Sequence, residues 1–133
     1  MAEILMTYAP HRFSNIHPED FETLIKTLFA DSGYSVEQTP YVGDFGADVI
    51  AIRGSDRFAI QVKRYNFSSK VGVGDVNQVI GAMKYYGCTR ALVITTSGFT
   101  ASAIDLAARA RVNLWDWSKL KQNLEKVYRL TLR

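Results

Sequence analysis

Several features that would place the protein in a special class are scarce in this sequence. Its 133 residues include one cysteine, Cys88, and three prolines. A single cysteine excludes an intramolecular disulfide and a zinc site built from several thiolates, and it favours a reducing, cytoplasmic location. No apolar run approaches the roughly 18 residues that a membrane span needs. Residues 1–6 also lack the basic start of a secretory signal, so no membrane partner is expected.

Extreme charge and extreme composition are absent as well. The chain carries 16 Lys and Arg against 13 Asp and Glu, a net charge of +3, and 47% of its residues are hydrophobic. These ordinary values exclude wholesale disorder, collagen-like repeats and coiled coils. The weak positive charge permits nucleic acid as a partner without requiring it. A chain of this length buries about two-thirds of its surface, so residues 1–133 are expected to form one domain.

The periodicity of apolar residues predicts an α/β protein. Residues 1–16 show no clean period and predict an irregular N-terminal arm. The order then predicted is helix 18–31, strand 34–38, strands 47–53 and 57–65, loop 68–74, helix 75–86, strand 91–95, helix 100–111, strand 112–117 and helix 118–130. A hairpin followed by β-α-β crossovers implies a mixed central β-sheet flanked by helices on both faces.

The predicted hairpin carries the residues with the most chemistry. Side chains alternate along a strand, so Gln61 and Lys63 share one face, and Asp48 shares a face with Ile50. A turn centred on Ser55 and Asp56 would place Asp48 opposite Lys63 and Ile50 opposite Gln61. A carboxylate, a carboxamide and an ammonium group then converge at one end of two adjacent strands.

Glu22 is a fourth candidate for this site. It lies about 100° around the first predicted helix from Phe21, at the edge of the apolar face. A glutamate at that edge can reach the rim of the sheet, beside Asp48. Carboxylates and amide oxygens suit Mg²⁺, which usually takes one or two carboxylates from a protein, and a nearby lysine such as Lys63 suits phosphoryl chemistry. The simpler alternatives are a cross-strand ion pair between Asp48 and Lys63 and a solvated Glu22.

Taken together, these residues resemble the Mrr-like restriction endonuclease catalytic domain of the PD-(D/E)XK nuclease superfamily. The resemblance runs from about residue 18 to residue 120. It is carried by Phe21-Glu22, by Gly43-Asp44-Phe45-Gly46-Ala47-Asp48, by Gln61-Val62-Lys63, by Val71 to Gln78, by Thr95 to Thr100, and by Leu114-Trp115-Asp116. It implies the restriction-endonuclease-like fold with an αβββαβ core, which agrees with the order predicted above.

The resemblance also implies roles for individual residues. Asp48 matches the principal metal-binding aspartate, Lys63 the catalytic lysine, and Glu22 an acidic residue on the first helix. Gln61 matches a position that is Asp or Glu in the wider superfamily, so the site has one negative charge fewer than usual. Glutamine is typical of the Mrr-like branch at this position. Mg²⁺, with Mn²⁺ as a substitute, would be held by Asp48, Glu22, the Gln61 side chain and the backbone of Val62.

Other residues are candidates for supporting roles. Gln78 matches a polar residue near the site in related domains. Asp44 is either a second ligand or a residue of a tight turn. Arg64, Tyr65, Lys70 and Ser97 are candidate DNA contacts, and for Ser97 the alternative is a plain helix cap. Trp115 and Trp117 are expected in the core rather than in base stacking.

These observations predict a Mg²⁺-dependent endonuclease that hydrolyses phosphodiester bonds in DNA, of a restriction or DNA-processing type. The alternative is a catalytically weak module with a nuclease fold that binds DNA or a protein partner. Little of the chain is left over for target recognition. Sequence specificity would therefore come from loops, from a homodimer or from a separate recognition subunit, or be absent.

Overall fold

The computed structural model describes residues 1–38, 46–66 and 68–132. Five helices and seven strands are present in these residues, together with a short 3₁₀ turn at Ala9–His11. The helices are α1 (Ala2–Tyr8), α2 (Pro18–Asp31), α3 (Val73–Tyr85), α4 (Ala101–Ala110) and α5 (Trp117–Tyr128). The strands are β1 (Ser35–Gln38), β2 (Val49–Arg53), β3 (Asp56–Lys63), β4 (Lys70–Val71), β5 (Arg90–Thr95), β6 (Gly98–Phe99) and β7 (Val112–Trp115).

The main sheet is mixed, as the sequence predicted. Its strand order is β1-β2-β3-β5-β7. The hairpin strands β1, β2 and β3 pair antiparallel, whereas β5 is parallel to both β3 and β7. Strand β3 is therefore central, and the α3 and α4 crossovers return the chain to the end of the sheet where the next parallel strand begins. The C-terminal ends of β3, β5 and β7 lie together at the opposite end of the sheet.

Each face of the sheet buries its own apolar cluster. One cluster joins α2 and α5 to the face that carries Val49, Ile60 and Ile94. The other joins α3 and α4 to the face that carries Ile50, Ala59 and Val93. Both faces are thus covered by helices, which confirms the predicted architecture. Trp115 stacks on Phe29 with ring centroids 5.5 Å apart, so its expected place in the core is confirmed.

The predicted register of the hairpin is wrong by two residues. The loop between β2 and β3 consists of Gly54 and Ser55, and Gly54 has the positive φ of 60° that the first position of a type II′ turn requires. Ile50 therefore lies opposite Ala59 and not opposite Gln61. An even shift leaves every side chain on its predicted face, because the side-chain period of a strand is two residues. The predicted grouping of the site residues survives for this reason.

The predicted irregular arm is also wrong, because residues 2–8 form α1. Leu5, Ala9 and Phe13 are fully buried in the same cluster as α2. The Phe13 ring lies 5.2 Å from the ring of Phe21 and 5.8 Å from that of Trp117. A seven-residue helix is too short to be stable by itself or to show a clear period. Its stability comes from this packing, which the sequence pattern did not reveal.

Two further differences lie around the third helix. The predicted loop 68–74 contains β4, which pairs in parallel with β6 as a separate two-stranded sheet. Helix α3 begins at Val73 with Gly72 as its N-cap, so Asp75 lies in the first turn instead of capping the helix.

Within the described residues, no helix combines the length and the apolar character needed to cross a membrane.

Candidate active site

Asp48 lies immediately before β2, where its carboxylate reaches the backbone of the central strand. Its Oδ2 accepts a hydrogen bond of 2.8 Å from the Val62 amide, and its own amide donates a bond of 2.8 Å to the Ile60 carbonyl. The carboxylate is thus held at the end of the sheet, between the two faces. Burial raises the pKa of Asp48, while the Val62 hydrogen bond and the charge of Lys63 act in the opposite direction.

Gln61 lies on β3 with only 3% of its surface exposed. Its Nε2 donates two hydrogen bonds of 3.2 Å, to the Gly46 carbonyl and to Oε1 of Gln78 on α3. The bond to a backbone carbonyl fixes the orientation of the amide, because that position requires a donor. The opposite atom, Oε1 of Gln61, is buried and has no hydrogen-bond donor in the part of the chain described. A buried acceptor without a donor is costly, so this oxygen is a place where a metal ion or a water molecule would bind.

The Gly46 carbonyl accepts the hydrogen bond from the Gln61 amide, and Gly46 itself lies against the backbone of α3 at Gln78. Its φ is 79°, in the left-handed region that favours glycine. A Cβ atom at this position would come within 2.6 Å of the Gln78 carbonyl carbon. The chain therefore approaches α3 as closely as only glycine allows. In the sequence, Gly46 stood out only as part of the segment 43–48 that carries the family resemblance.

Lys63 ends β3 on the same face as Gln61. Its Nζ lies 3.6 Å from Oδ1 of Asp75 in the first turn of α3, and both side chains are mostly buried. Oδ2 of Asp75 accepts a hydrogen bond of 3.4 Å from the Tyr65 hydroxyl. Burial, followed by the neighbouring Asp75 carboxylate, raises the pKa of Tyr65.

Asp75 joins the candidate site although no motif in the sequence singled it out. The sequence predicted only that a helix begins at this residue. The available signal was topological: the helix that follows β3 begins near the C-terminal end of the parallel strands, where the site lies.

Glu22 projects from α2 at the edge of its buried face, as predicted. Burial is the main cause of its raised pKa, and the negative charge of Asp48 is the second. The two carboxylates are therefore close enough to repel each other, although α2 and α3 lie on opposite faces of the sheet. Their meeting is possible because Asp48 sits at the end of the sheet.

These groups form a donor set that fits a hard divalent cation. The oxygens are the carboxylates of Asp48 and Glu22 and the orphaned Oε1 of Gln61. The Val62 carbonyl points to the same side of β3 as the Val62 amide, toward Asp48, because both groups of one residue share a side in a strand. No group of three or more His, Cys, Asp or Glu suited to a metal occurs among the described residues. A Mg²⁺ site needs only one or two carboxylates and keeps several waters.

The remaining predicted residues are distributed around this centre. Gln78 contacts Gln61 as a supporting residue. Asp44 lies outside the described residues. Lys70 is exposed on β4, where it can contact a ligand in solution. Ser97 is buried, with its hydroxyl 3.1 Å from that of Thr95, which argues against a direct phosphate contact.

The fold is shared with solved restriction endonucleases. The DNA modification-dependent restriction endonuclease AspBHI aligns with 96% of this chain at a TM-score of 0.71 and 20% identity. The MspJI restriction endonuclease, solved in complex with a 27-mer oligonucleotide, aligns with 92% at a TM-score of 0.66 and 21% identity. This chain covers only 35% and 30% of their lengths. The protein therefore has the restriction-endonuclease-like fold.

The family follows from the sequence. The Mrr_cat restriction endonuclease family model matches residues 13–124, and the chain belongs to this family. Nucleases of the wider PD-(D/E)XK type typically use divalent metal ions. A curated relative, the uncharacterised protein y4cE of Sinorhizobium fredii (strain NBRC 101917 / NGR234), is 27% identical over 118 residues. That alignment spans 77% of this chain but only 30% of the relative.

Proposed function

We propose that this protein is a Mg²⁺-dependent endonuclease that hydrolyses phosphodiester bonds in DNA. The observation that carries the proposal is the buried Oε1 of Gln61, which has no donor in the described residues and lies in the same site as Asp48, Glu22 and Lys63. A cation at this point would satisfy the orphaned oxygen and offset the repulsion between the two carboxylates. The family to which the chain belongs supports the same chemistry.

Four residues of the chain would hold the metal ion. Asp48 and Glu22 supply charge, and the Gln61 side chain and the Val62 carbonyl supply neutral oxygens. When bound, Mg²⁺ or Mn²⁺ would lower the pKa of a coordinated water and stabilise the negative charge that develops on the phosphate. The amide at Gln61 leaves the site with fewer negative charges than a third carboxylate would, so the affinity for the metal depends strongly on Glu22.

Lys63 would act on the attacking water and on the phosphate. Its ammonium group sits at the end of β3, where it can hold the water in line and stabilise charge on the nonbridging oxygens. Asp75 limits where that ammonium group can move, because the two groups form an ion pair of 3.6 Å. The Tyr65 hydroxyl holds Asp75 from the other side. Lys63 is therefore positioned before substrate arrives.

DNA is the proposed substrate, on the basis of the family and the weakly positive chain. Arg64, Tyr65 and Lys70 follow the site along the chain and are proposed to contact the phosphate backbone. Residues 1–133 are proposed to form one catalytic domain. Sequence recognition is proposed to come from a homodimer or from a separate recognition subunit. The domain spans 35% of the AspBHI chain and 30% of the MspJI chain.

The test is cleavage of plasmid DNA in Mg²⁺ or Mn²⁺, compared with EDTA. We expect Asp48→Asn and Lys63→Ala each to lower the cleavage rate by about 100-fold or more. Matched controls are Asp105→Asn, an exposed carboxylate on α4, and Lys126→Ala, an exposed lysine in the last turn of α5. Wild-type rates in either site variant, with wild-type folding by circular dichroism, would refute the assignment.

A second candidate function is DNA binding without turnover. The observation that favours it is the amide at Gln61, which removes a negative charge from the metal site. In that case the protein would bind DNA with strong salt dependence but would leave the plasmid intact at any metal concentration. Binding of Mn²⁺ measured by calorimetry separates the two functions, since only a nuclease requires a metal held by Asp48 and Glu22.

A further inference from the structure

A groove of about 590 Å³ opens beside the candidate active site. We call it the N-terminal groove. One wall is the turn after α1, with His11, Arg12 and Ser14, and the other is the segment after β3, with Tyr65, Asn66 and Ser68. Neither wall contains a carboxylate among these residues. The groove therefore presents a cationic guanidinium and several neutral hydrogen-bonding groups to solvent.

The N-terminal groove adjoins the site on both of its walls. Tyr65 lies two residues beyond Lys63 and shares Asp75 with it. Behind the opposite wall, Phe13, which follows Arg12 and is fully buried, packs against Phe21, the residue next to Glu22. A polymer that placed one of its phosphates at Lys63 could therefore continue directly into the groove.

The wall formed by the N-terminal turn is held in an unusual backbone conformation. Arg12 and Phe13 have φ values of 49° and 59°, both in the left-handed region. Burial of the Phe13 ring keeps the turn in this conformation, and Arg12 is exposed as a result. Strained backbone that is held by its surroundings is typical of binding sites.

Arg64 joins the two walls from behind. Its Nη1 donates a hydrogen bond of 3.2 Å to the Ser14 carbonyl. Its Nε is buried and has no acceptor in the described part of the chain. A charged group whose buried N–H has no protein acceptor is a place where an anion, or a water molecule bound to an anion, would accept the hydrogen bond.

We infer that the N-terminal groove binds the phosphate backbone of the DNA substrate next to the phosphate that is cleaved, with Arg12 as the main contact and His11 as a second donor. This inference rests on the proposed function, because DNA is the polyanion that the site would process. Besides its proposed phosphate contact, Arg64 ties the N-terminal turn to the end of β3 through its hydrogen bond to the Ser14 carbonyl. The groove thereby fixes the direction in which the DNA strand leaves the site.

The test compares three arginines that share one backbone conformation. Arg12, Arg111 and Arg129 are all exposed and all have φ between 49° and 58°. Each is changed to asparagine, which adopts the left-handed region readily, so that folding is preserved while the charge is removed. Arg111 and Arg129 follow α4 and α5, near the end of the sheet opposite the site, and serve as matched controls.

Binding of a labelled DNA duplex is measured in EDTA by fluorescence anisotropy over a range of salt concentrations. We expect Arg12→Asn to weaken binding about tenfold and to reduce the slope of log K against log salt by about 0.9, with recovery in Arg12→Lys. The control variants should remain within about twofold of wild type. Equal affinity and slope in Arg12→Asn and Arg111→Asn would overturn the inference, as would a wild-type protein that does not bind the duplex.

Plasmid cleavage with metal, measured on the same variants, separates this inference from the proposed function. For Arg12→Asn we expect a higher KM with an unchanged kcat, because Arg12 would contact a neighbouring phosphate and not the phosphate that reacts. If the wild type cleaves DNA and Arg12→Asn binds DNA as tightly as the wild type, the proposed nuclease activity stands. The proposed role of the N-terminal groove in DNA binding is then wrong. Loss of kcat alone in Arg12→Asn would also contradict a role in binding.

Discussion

The replacement of Gln61 by Glu tests the geometry of the candidate site most directly. Glutamate restores the carboxylate of the wider superfamily and has almost the same shape. In this structure, however, the Gln61 amide donates hydrogen bonds to the Gly46 carbonyl and to Oε1 of Gln78. An ionised glutamate would place an oxygen against both acceptors. It would lose both bonds and bury a third negative charge near Asp48 and Glu22.

The size of the effect follows from those two bonds. Each buried polar group that loses its partner costs about 1–3 kcal/mol, so Gln61→Glu should lower the free energy of unfolding by about 2–5 kcal/mol in EDTA. For a chain of this size that corresponds to a decrease in Tm of about 10 °C or more. Divalent metal should recover much of this loss, because the added carboxylate oxygens are ligands that Mg²⁺ and Mn²⁺ prefer.

The assay is thermal unfolding followed by circular dichroism, with and without Mn²⁺, and the control is Gln122→Glu on the exposed face of α5. The control should unfold within about 2 °C of the wild type, since isolated surface substitutions change stability little. If Gln61→Glu unfolded at the same temperature as the control in EDTA, the Gln61 amide would not be held by Gly46 and Gln78. Oε1 of Gln61 would then not be fixed as a buried acceptor that awaits a ligand.

Three further predictions concern stability in the absence of metal. Gly46→Ala should cost about 2–4 kcal/mol, because its Cβ would collide with the α3 backbone, whereas Gly54→Ala has open space around its Cβ and should cost about 1 kcal/mol; urea unfolding of both variants measures the difference. Leu5→Ala should cost about 2–5 kcal/mol and the exposed Met6→Ala almost nothing, and equal stabilities would show that α1 does not belong to the core. The pKa of Asp48 is higher in the folded than in the unfolded protein, so its ionisation costs stability as the pH rises above about 4. Asp48→Asn should therefore unfold at a higher temperature than wild type at pH 7 in EDTA but not at pH 3, and an equal Tm at both values would contradict the burial of this carboxylate.

The grouping of the candidate site residues could be predicted from the sequence, because side chains alternate along a strand whatever its register. Gln61 and Lys63 must share a face whatever the register, so a shift of two residues at the Gly54-Ser55 turn left them together. Asp48 was expected to meet Lys63 as its cross-strand partner. Instead it meets the Val62 amide, because its position before β2 lets the side chain reach across the end of the sheet.

Contacts between distant segments could not be predicted in this way. The pairing of Lys63 with Asp75 depends on where α3 begins relative to β3, which the local pattern placed two residues too late. The hydrogen bond between Gly46 and Gln61 depends on the close approach of the chain to α3. The burial of Leu5 depends on a helix too short to show periodicity.

The burial of α1 has a consequence for experiments that isolate this catalytic unit from longer relatives. The family match begins at residue 13, yet Leu5 and Ala9 already fill part of the interior. Deletion of residues 1–12, at the start of the family match, would leave a cavity in the apolar cluster beside α2. It would also expose part of the Phe13 ring to solvent. The same cut would loosen Glu22 through Phe21, so a loss of cleavage in the shortened protein would not test the proposed site residues.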